Sequence, residues 1–306
     1  MATHLFSPTS QPLPPSKRVK YNKTVTIAAG FYCADGIVLA ADSQYSGGGS
    51  KTSGQKIFPI QQNDRFAVTL ATAGHAGIAK RTIQKLTDSL KARIGHRAAS
   101  IAELQDILED VLCDVHAKYI YSAPADERAI VDVWFLMAAW TPHEYALFRS
   151  DVTAVTRVYG SACIGVGSYL GEYLMDLLCD YSPGMSVEDV KPIASYVVDR
   201  AKNYVDGCGL RTFMRVLTAA GIDEAIQPKE ILAGEEYFEG VFGLIRKYLL
   251  SLHASTVDDS FSVLFGAALD EFTEKQRERK AKLDRVAQSR LQSTKDDPSR
   301  PPPSPE

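Results

Sequence analysis

The sequence predicts an α+β domain built in layers, and three observations lead there. Residues 26–33 and 36–42 are two β-rich apolar runs joined by Ala34-Asp35-Gly36, and Asp-Gly between such runs is a strong hairpin signal. Two pairs of amphipathic helical patterns interrupt the strands, and one helix of each pair opens on a capping-box signature, Ser100 with Glu103 and Ser186 with Asp189. The resulting order is strands, helix pair, strands, helix pair, strand, which gives an α+β layered arrangement.

The elements follow in order. Residues 1 to about 22 are rich in Pro, Ser and Thr and bury too little apolar surface to fold alone, so residues 1–23 are set apart as a disordered arm or propeptide. Strands are expected at about 24–33, 36–42, 55–60 and 65–73. Gly74 opens a helix to about 94, with Ile78, Ile83, Leu86 and Leu90 near helical spacing. The second helix runs from Ser100 to Tyr119. Strands return at about 130–140, 144–150, 155–159 and 161–166, then helices at about 168–180 and 186–204, and a strand at 211–218 ended by Ala220-Gly221. Glu235 to Leu252 reads as a buried helix on the strength of Tyr237, Phe238, Val241, Phe242, Leu244, Ile245, Tyr248 and Leu249. Ser260 to Ala268 reads as a strand or a helical start. The domain is thus drawn over residues 24–269, and 270–306 as a charged helix followed by a Pro-rich disordered tail.

Bulk properties narrow the function. A net charge of −3 gives no reason to expect nucleic acid or a membrane as partner, and the Lys17-Arg18-Val19-Lys20 cluster reads as a solvated charge run. No stretch approaches membrane-spanning length, and no secretory signal is visible, so a soluble, cytoplasmic protein is expected. Cysteines 33, 113, 163, 179 and 208 show no C-x-x-C spacing and are expected to be reduced, buried thiols. No His, Cys and carboxylate cluster has metal spacing, so no metal and no cofactor is expected; His75 and His143 fall in turns facing solvent.

The chemistry concentrates in the first hairpin. Thr26 supplies a hydroxyl on one strand, Asp42 a carboxylate at the end of the next, and Lys56 an ammonium just before the run Ile57 to Ile60. These are the parts of threonine nucleophilic catalysis. Residues 26–43 resemble, without a gap, the pattern T-T-I-V-G-x-x-x-x-D-G-V-V-L-A-A-D-S-R of the proteasome β-type peptidases, within the N-terminal-nucleophile hydrolases. Thr26 falls on the nucleophile, Gly30 on the strand glycine, Asp35-Gly36 on the turn, and Asp42 on the carboxylate. Lys56 corresponds to the lysine of a K-I-x-x-I run if the surface loop Ser43 to Gln55 is about two residues shorter than usual, which a loop tolerates. Further matches are Ala71-Thr72-Ala73-Gly74, the Trp134 to Phe148 hairpin, the Ala162 to Ser168 segment, Met185 to Asp189 and the turn Asp206-Gly207-Cys208-Gly209.

The resemblance implies a four-layer αββα sandwich, two antiparallel sheets face to face with helices on both outer faces. It implies that the Thr26 hydroxyl attacks a peptide carbonyl while the threonine's own freed α-amine takes the proton, with Lys56 activating both and Asp42 holding the lysine. Gly74 N–H would stabilise the oxyanion, Thr72 would line the pocket for the substrate side chain, and Ser168 and Asp206 would support the site. The partners implied are like or related subunits in a ring, a peptide or unfolded protein as substrate, and an ATPase or cap.

Four positions depart from the pattern. Val25 stands where self-processing subunits carry Gly, Ile27 replaces a second threonine, Val166 replaces the serine of the G-S-G segment, and Cys208 or Gly209 replaces that of the later turn. These keep two alternatives open beside the threonine peptidase: a noncatalytic structural subunit of such an assembly, and a related amidase acting on small amides.

Overall fold

The structure is a computed structural model and describes residues 26–47, 50–125, 128–179, 182–253, 266–278 and 281. The expected arm, most of the C-terminal tail and residues 260–265 lie outside the described residues. Two five-stranded antiparallel sheets form the centre. The first has the order β10(Ser161–Ile164), β1(Ala28–Cys33), β2(Gly36–Asp42), β11(Thr212–Thr218), β12(Asp223–Ala225). The second has β5(Ile57–Gln62), β6(Ala67–Gly74), β7(Val133–Thr141), β8(Glu144–Asp151), β9(Ala154–Val158). Helices α1(Ala76–Arg93) and α2(Ile101–Val115) cover the second sheet, and α4(Ser168–Leu178) and α5(Val187–Tyr204) cover the first. The chain is therefore the four-layer α+β sandwich expected.

Alternation along the strands builds these layers. Ala28 of β1 and Ile37, Leu39 and Ala41 of β2 point between the sheets, against Ala71, Leu136, Ala138 and Leu147. Their neighbours Ala29, Phe31, Val38 and Ala40 point outward onto Val190, Ala194 and Val197 of α5. Both faces are buried, which explains why β2 reads as one unbroken apolar run. Gly30 lets the sheets close, because a Cβ there would sit 3.1–3.3 Å from Leu147, Leu39 and Leu136.

Several local expectations change. Residues 43–55, read as a surface loop, contain a paired hairpin, β3(Gln44–Gly47) with β4(Ser50–Ser53), whose polar residues give no alternating signal. A helical turn, α3(Arg128–Val131), occupies the expected start of the strand at 130, and β12 is additional. The second helix ends in a π-helical segment at His116–Ile120. Its Ser100 cap accepts from Glu103 N, but the Glu103 side chain turns to Arg97 instead of closing the box, whereas Ser186 and Asp189 close theirs completely. Helix α6(Pro228–His253) starts seven residues before the expected Glu235, with Pro228 in the first turn where its missing N–H costs nothing. Only one face of it is buried, with Ile231 in the core and Phe238 and Phe242 packed against it, while Leu232, Tyr237, Ile245, Tyr248 and Leu249 are exposed. Cys113 is likewise exposed, while the other four thiols are buried and all five are unbridged.

Candidate active site

The β1–β2 hairpin sets the first two groups. Its register pairs Ala28 with Ala41, which leaves Thr26 and Ile27 at the open end beside Asp42. Asp42 N–H donates to Ile27 O at 3.2 Å, and Ile27 N–H donates to Asp42 Oδ1 at 3.1 Å. The third group comes from the other sheet. Lys56 precedes β5 and is fixed to β6 by the Thr72 N–H bond to its carbonyl at 2.9 Å, so its side chain spans the gap between sheets.

There Lys56 Nζ donates to Thr26 Oγ1 at 2.7 Å and to Asp42 Oδ1 at 2.7 Å. All three residues are buried, Lys56 and Asp42 completely. The carboxylate takes four N–H donors: Lys56 and Ile27 on Oδ1, and Gln44 N and Gly209 N on Oδ2 at 3.1 and 3.0 Å. A buried anion with both oxygens doubly satisfied is an anchor. Burial pushes the Lys56 ammonium below the usual lysine range, opposed by the charge and hydrogen bond of Asp42. The Cys208 thiol beside the pair is pushed up to about 12 by burial and then by the Asp42 charge.

Two glycines hold Thr26 from behind. Gly167 N–H donates to Thr26 O at 3.2 Å. At Gly165, with φ +91°, a Cβ would stand 2.3 Å from Thr26 O and 3.1 Å from Ala73 Cβ, so only a glycine lets the β10–α4 turn come this close to both Thr26 and the end of β6. Gly74 ends that strand at φ +104°, where a Cβ would strike Asp132 O at 2.3 Å. Thr72 is buried next to Lys56.

The structure thus brings Thr26, Asp42, Lys56 and Thr72 together, with Ala73-Gly74 at the edge of the cluster. Ser168 instead opens α4 beyond Gly167, and Asp206 is exposed in its turn. That turn contributes backbone: Gly209 N–H binds Asp42, and Gly207 O accepts from Gln44 Nε2 at 2.9 Å. Gly209 permits this, since a Cβ would meet Gln44 Oε1 at 2.5 Å. The sequence reading missed Gln44 and Tyr45, whose one signal is a glutamine and an aromatic among Ser, Gly and Thr. His75 caps α1, its Nδ1 accepting from Ile78 N at 3.3 Å, and His143 is an exposed turn residue. Among the described residues no group of three or more His, Cys, Asp or Glu is placed to hold a metal ion.

An ammonium donating to a threonine oxygen stabilises the alkoxide but, being protonated, is no base. The arrangement can activate a nucleophile once a separate amine is present.

Residues 23–209 match the profile of the proteasome subunit family. The chain belongs to that family. Curated family members similar to it include the proteins described as proteasome subunit alpha of Methanococcus maripaludis, 25% identical over 179 residues, and Methanococcus vannielii, 26% over 180. Each alignment covers 57% of this chain and 64% of the relative, so the chain spans a little under two thirds of their length. In fold it resembles Anbu, the ancestral beta-subunit, from Yersinia bercovieri, with a TM-score of 0.61, 14% identity and coverage of 72% of this chain and 97% of that one. The same TM-score and identity relate it to a chain of the helical assembly of the Anbu complex from Pseudomonas aeruginosa, covering 72% and 96%. Among the described residues of this proteasome-family chain, no helix is long and apolar enough to cross a membrane.

Proposed function

We propose that this chain is a threonine-type endopeptidase subunit of a proteasome-like assembly, an N-terminal-nucleophile hydrolase exposed by removal of residues 1–25. The observation that carries this reading is Lys56 Nζ held 2.7 Å from both Thr26 Oγ1 and Asp42 Oδ1 in a buried corner. Thr26 Oγ attacks the peptide carbonyl carbon as its proton passes to the Thr26 α-amine, a base with an ordinary pKa of about 7.7–8.0. Negative charge forms on the carbonyl oxygen facing Gly74 N–H. Collapse breaks the C–N bond, the leaving amine takes the proton, and water, deprotonated by the same α-amine, hydrolyses the ester on Thr26. Thr72 lines the substrate side, residues 24–269 form the catalytic domain, and the subunits pack with like or related copies in the cytoplasm, where an ATPase or cap feeds unfolded protein.

A second reading is favoured by Val25, whose β-branched side chain crowds the carbonyl that self-processing must attack, and by the alpha description of both archaeal relatives. In that reading the chain is a noncatalytic subunit with an uncut N-terminus. Intact mass decides between them. The peptidase reading expects a purified chain that begins at Thr26 and cleaves peptides, with Thr26→Ala keeping residues 1–25 and losing all cleavage. A persistent full-length chain without peptidase activity overturns it. Lys56→Ala, which removes the donor that stabilises the Thr26 alkoxide, is expected to lower kcat by about 10²–10³.

A further inference from the structure

Tyr45 has no part in the reaction above, yet it faces the buried cation. The Lys56 ammonium has three N–H donors, and two of them go to Thr26 Oγ1 and Asp42 Oδ1. The nitrogen lies over the Tyr45 ring, 5.1 Å from its centroid, within the range where the negative ring face attracts a cation. The ring is fixed from several sides. Its hydroxyl donates to Gln55 O at 2.9 Å, the Thr72 side chain hydrogen-bonds the phenol, and its edge lies where a Cβ on Gly54 would be 2.6 Å from Cε2. Upstream, Gln44 ties the strand to Gly207, and Gly54 N–H ties its far end to Ser43 O. Hairpin β3–β4 therefore delivers one aromatic face to one ammonium.

We propose that Tyr45 is a positioning residue, the third ligand of the Lys56 ammonium, which keeps the lysine charged and aimed at Thr26 Oγ1. The consequence for catalysis rests on the peptidase reading; the effect on Lys56 does not. Burial works against the charged lysine here. Among the described residues, the charged or titratable groups facing it are Asp42 from β2, Tyr45 from β3 and the Cys208 thiol from the turn after α5, which stays neutral at working pH because it is pushed up to about 12; in the processed chain the Thr26 α-amine joins them, and it is common to all the variants compared. Tyr45 is itself held neutral, since burial and then the Asp42 charge push its phenol up. Asp42 already carries three backbone donors, so it has no spare acceptor with which to replace a lost ring. The ring favours the charged form, so its removal lets the lysine lose its proton at lower pH.

The experiment is NMR titration of the Lys56 side chain in the full protein, alongside the pH profile of peptide cleavage. Tyr45→Leu is expected to lower the Lys56 pKa by about 0.5–1 unit, and to move the alkaline limb of kcat down equally with KM little changed. Tyr45→Phe keeps the ring and is expected to restore the titration. Pentafluorophenylalanine at position 45 preserves the shape while reversing the ring's charge distribution, so it should act like Leu; it is the decisive variant if Tyr45→Leu does not fold. An unmoved Lys56 titration with both ring-weakening replacements overturns the proposal. A moved titration in a protein that cleaves nothing supports the positioning role and overturns the peptidase reading instead.

Discussion

The corner around Thr26 and the α5–α6 face of the same molecule use charge in opposite ways. In the corner one ammonium and one carboxylate are withdrawn from water, and backbone N–H groups from three separate segments fix the anion. On the outer face Lys191 pairs with Glu230, Lys202 with Glu235 and Arg200 with Glu239, at least one partner of the outermost pairs remaining in water. What holds α6 there is apolar: Tyr196 stacks on Phe242 and packs tilted against Phe238, the three rings forming a triangle, and Gly234 sits against Ser195. Fully buried charge aims a reactive atom, and the partly exposed charge of the outer face orients a helix that apolar contacts also hold.

Removing charge from the corner should have the largest effect. Asp42→Ala leaves Lys56 buried without its anion and strips three backbone donors of their acceptor, so a loss of about 3–5 kcal/mol is expected by denaturant unfolding. Lys56→Met leaves those three bonds in place and should cost about 3 kcal/mol or less. Equal costs for the two would show that the backbone donors contribute nothing and would erase the contrast.

Alkali tests the same contrast without mutation. Burial pushes the Cys33 thiol up to about 12, with Asp35 adding to it, and Cys208 to about 12. The folded protein keeps protons that the unfolded chain releases, so this stability is complete below pH about 8.5 and is lost as pH rises towards the folded values, by about 1.4 kcal/mol per pH unit per thiol. On the outer face, burial disfavours the Lys191 charge but Glu188 and Glu230 overcome it and raise its pKa. Its contribution is lost only above the unfolded lysine value of about 10.4. Stability measured against pH should therefore begin to fall well before the α5–α6 pairs are touched, and Cys208→Ala should flatten that first decline.

This contrast also marks what could be read from the chain. Thr26, Asp42 and Lys56 were legible because a two-strand hairpin with a two-residue turn converts sequence spacing directly into spatial register. The lysine's place survived an uncertain loop because the apolar run after it fixes β5. Gln44 and Tyr45 were not legible: Gln44 is buried but polar, β4 opposite is exposed throughout, so no apolar alternation reveals them, and their partners Gly207, Gly209 and Lys56 are distant in sequence. The Gly209 contribution was also hidden, since it is a backbone N–H and carries no side-chain signature. Helix α6 was visible as apolar content, but its exposure was not, because clustered aromatics do not say which of their faces finds a partner.

Gly165→Ala sharpens the corner from behind. The new Cβ would meet Thr26 O in a left-handed backbone conformation, so a cost of about 2 kcal/mol is expected. Thr26, whose carbonyl the new Cβ strikes, must also move, so the same variant should lose peptide cleavage out of proportion to its stability. A stable variant with wild-type cleavage would mean that the 2.7 Å contact is not what the turn maintains.

The smallest effects belong to the outer face. Glu235 accepts from Lys202 Nζ at 2.9 Å and from Thr212 Oγ1 at 2.8 Å, but Lys202 keeps Asp199 at 3.4 Å when the glutamate is removed. Glu235→Ala should therefore cost only about 1 kcal/mol. The Glu239 side chain is 54% exposed, so Glu239→Ala should cost less than about 0.5 kcal/mol and nothing measurable in high salt. Phe238→Ala removes an aromatic that Tyr196 and Tyr237 both contact, and should exceed both charge deletions in thermal unfolding. If Glu239→Ala outweighs Phe238→Ala, α6 is held by its ion pairs after all, and the two regions differ only in depth.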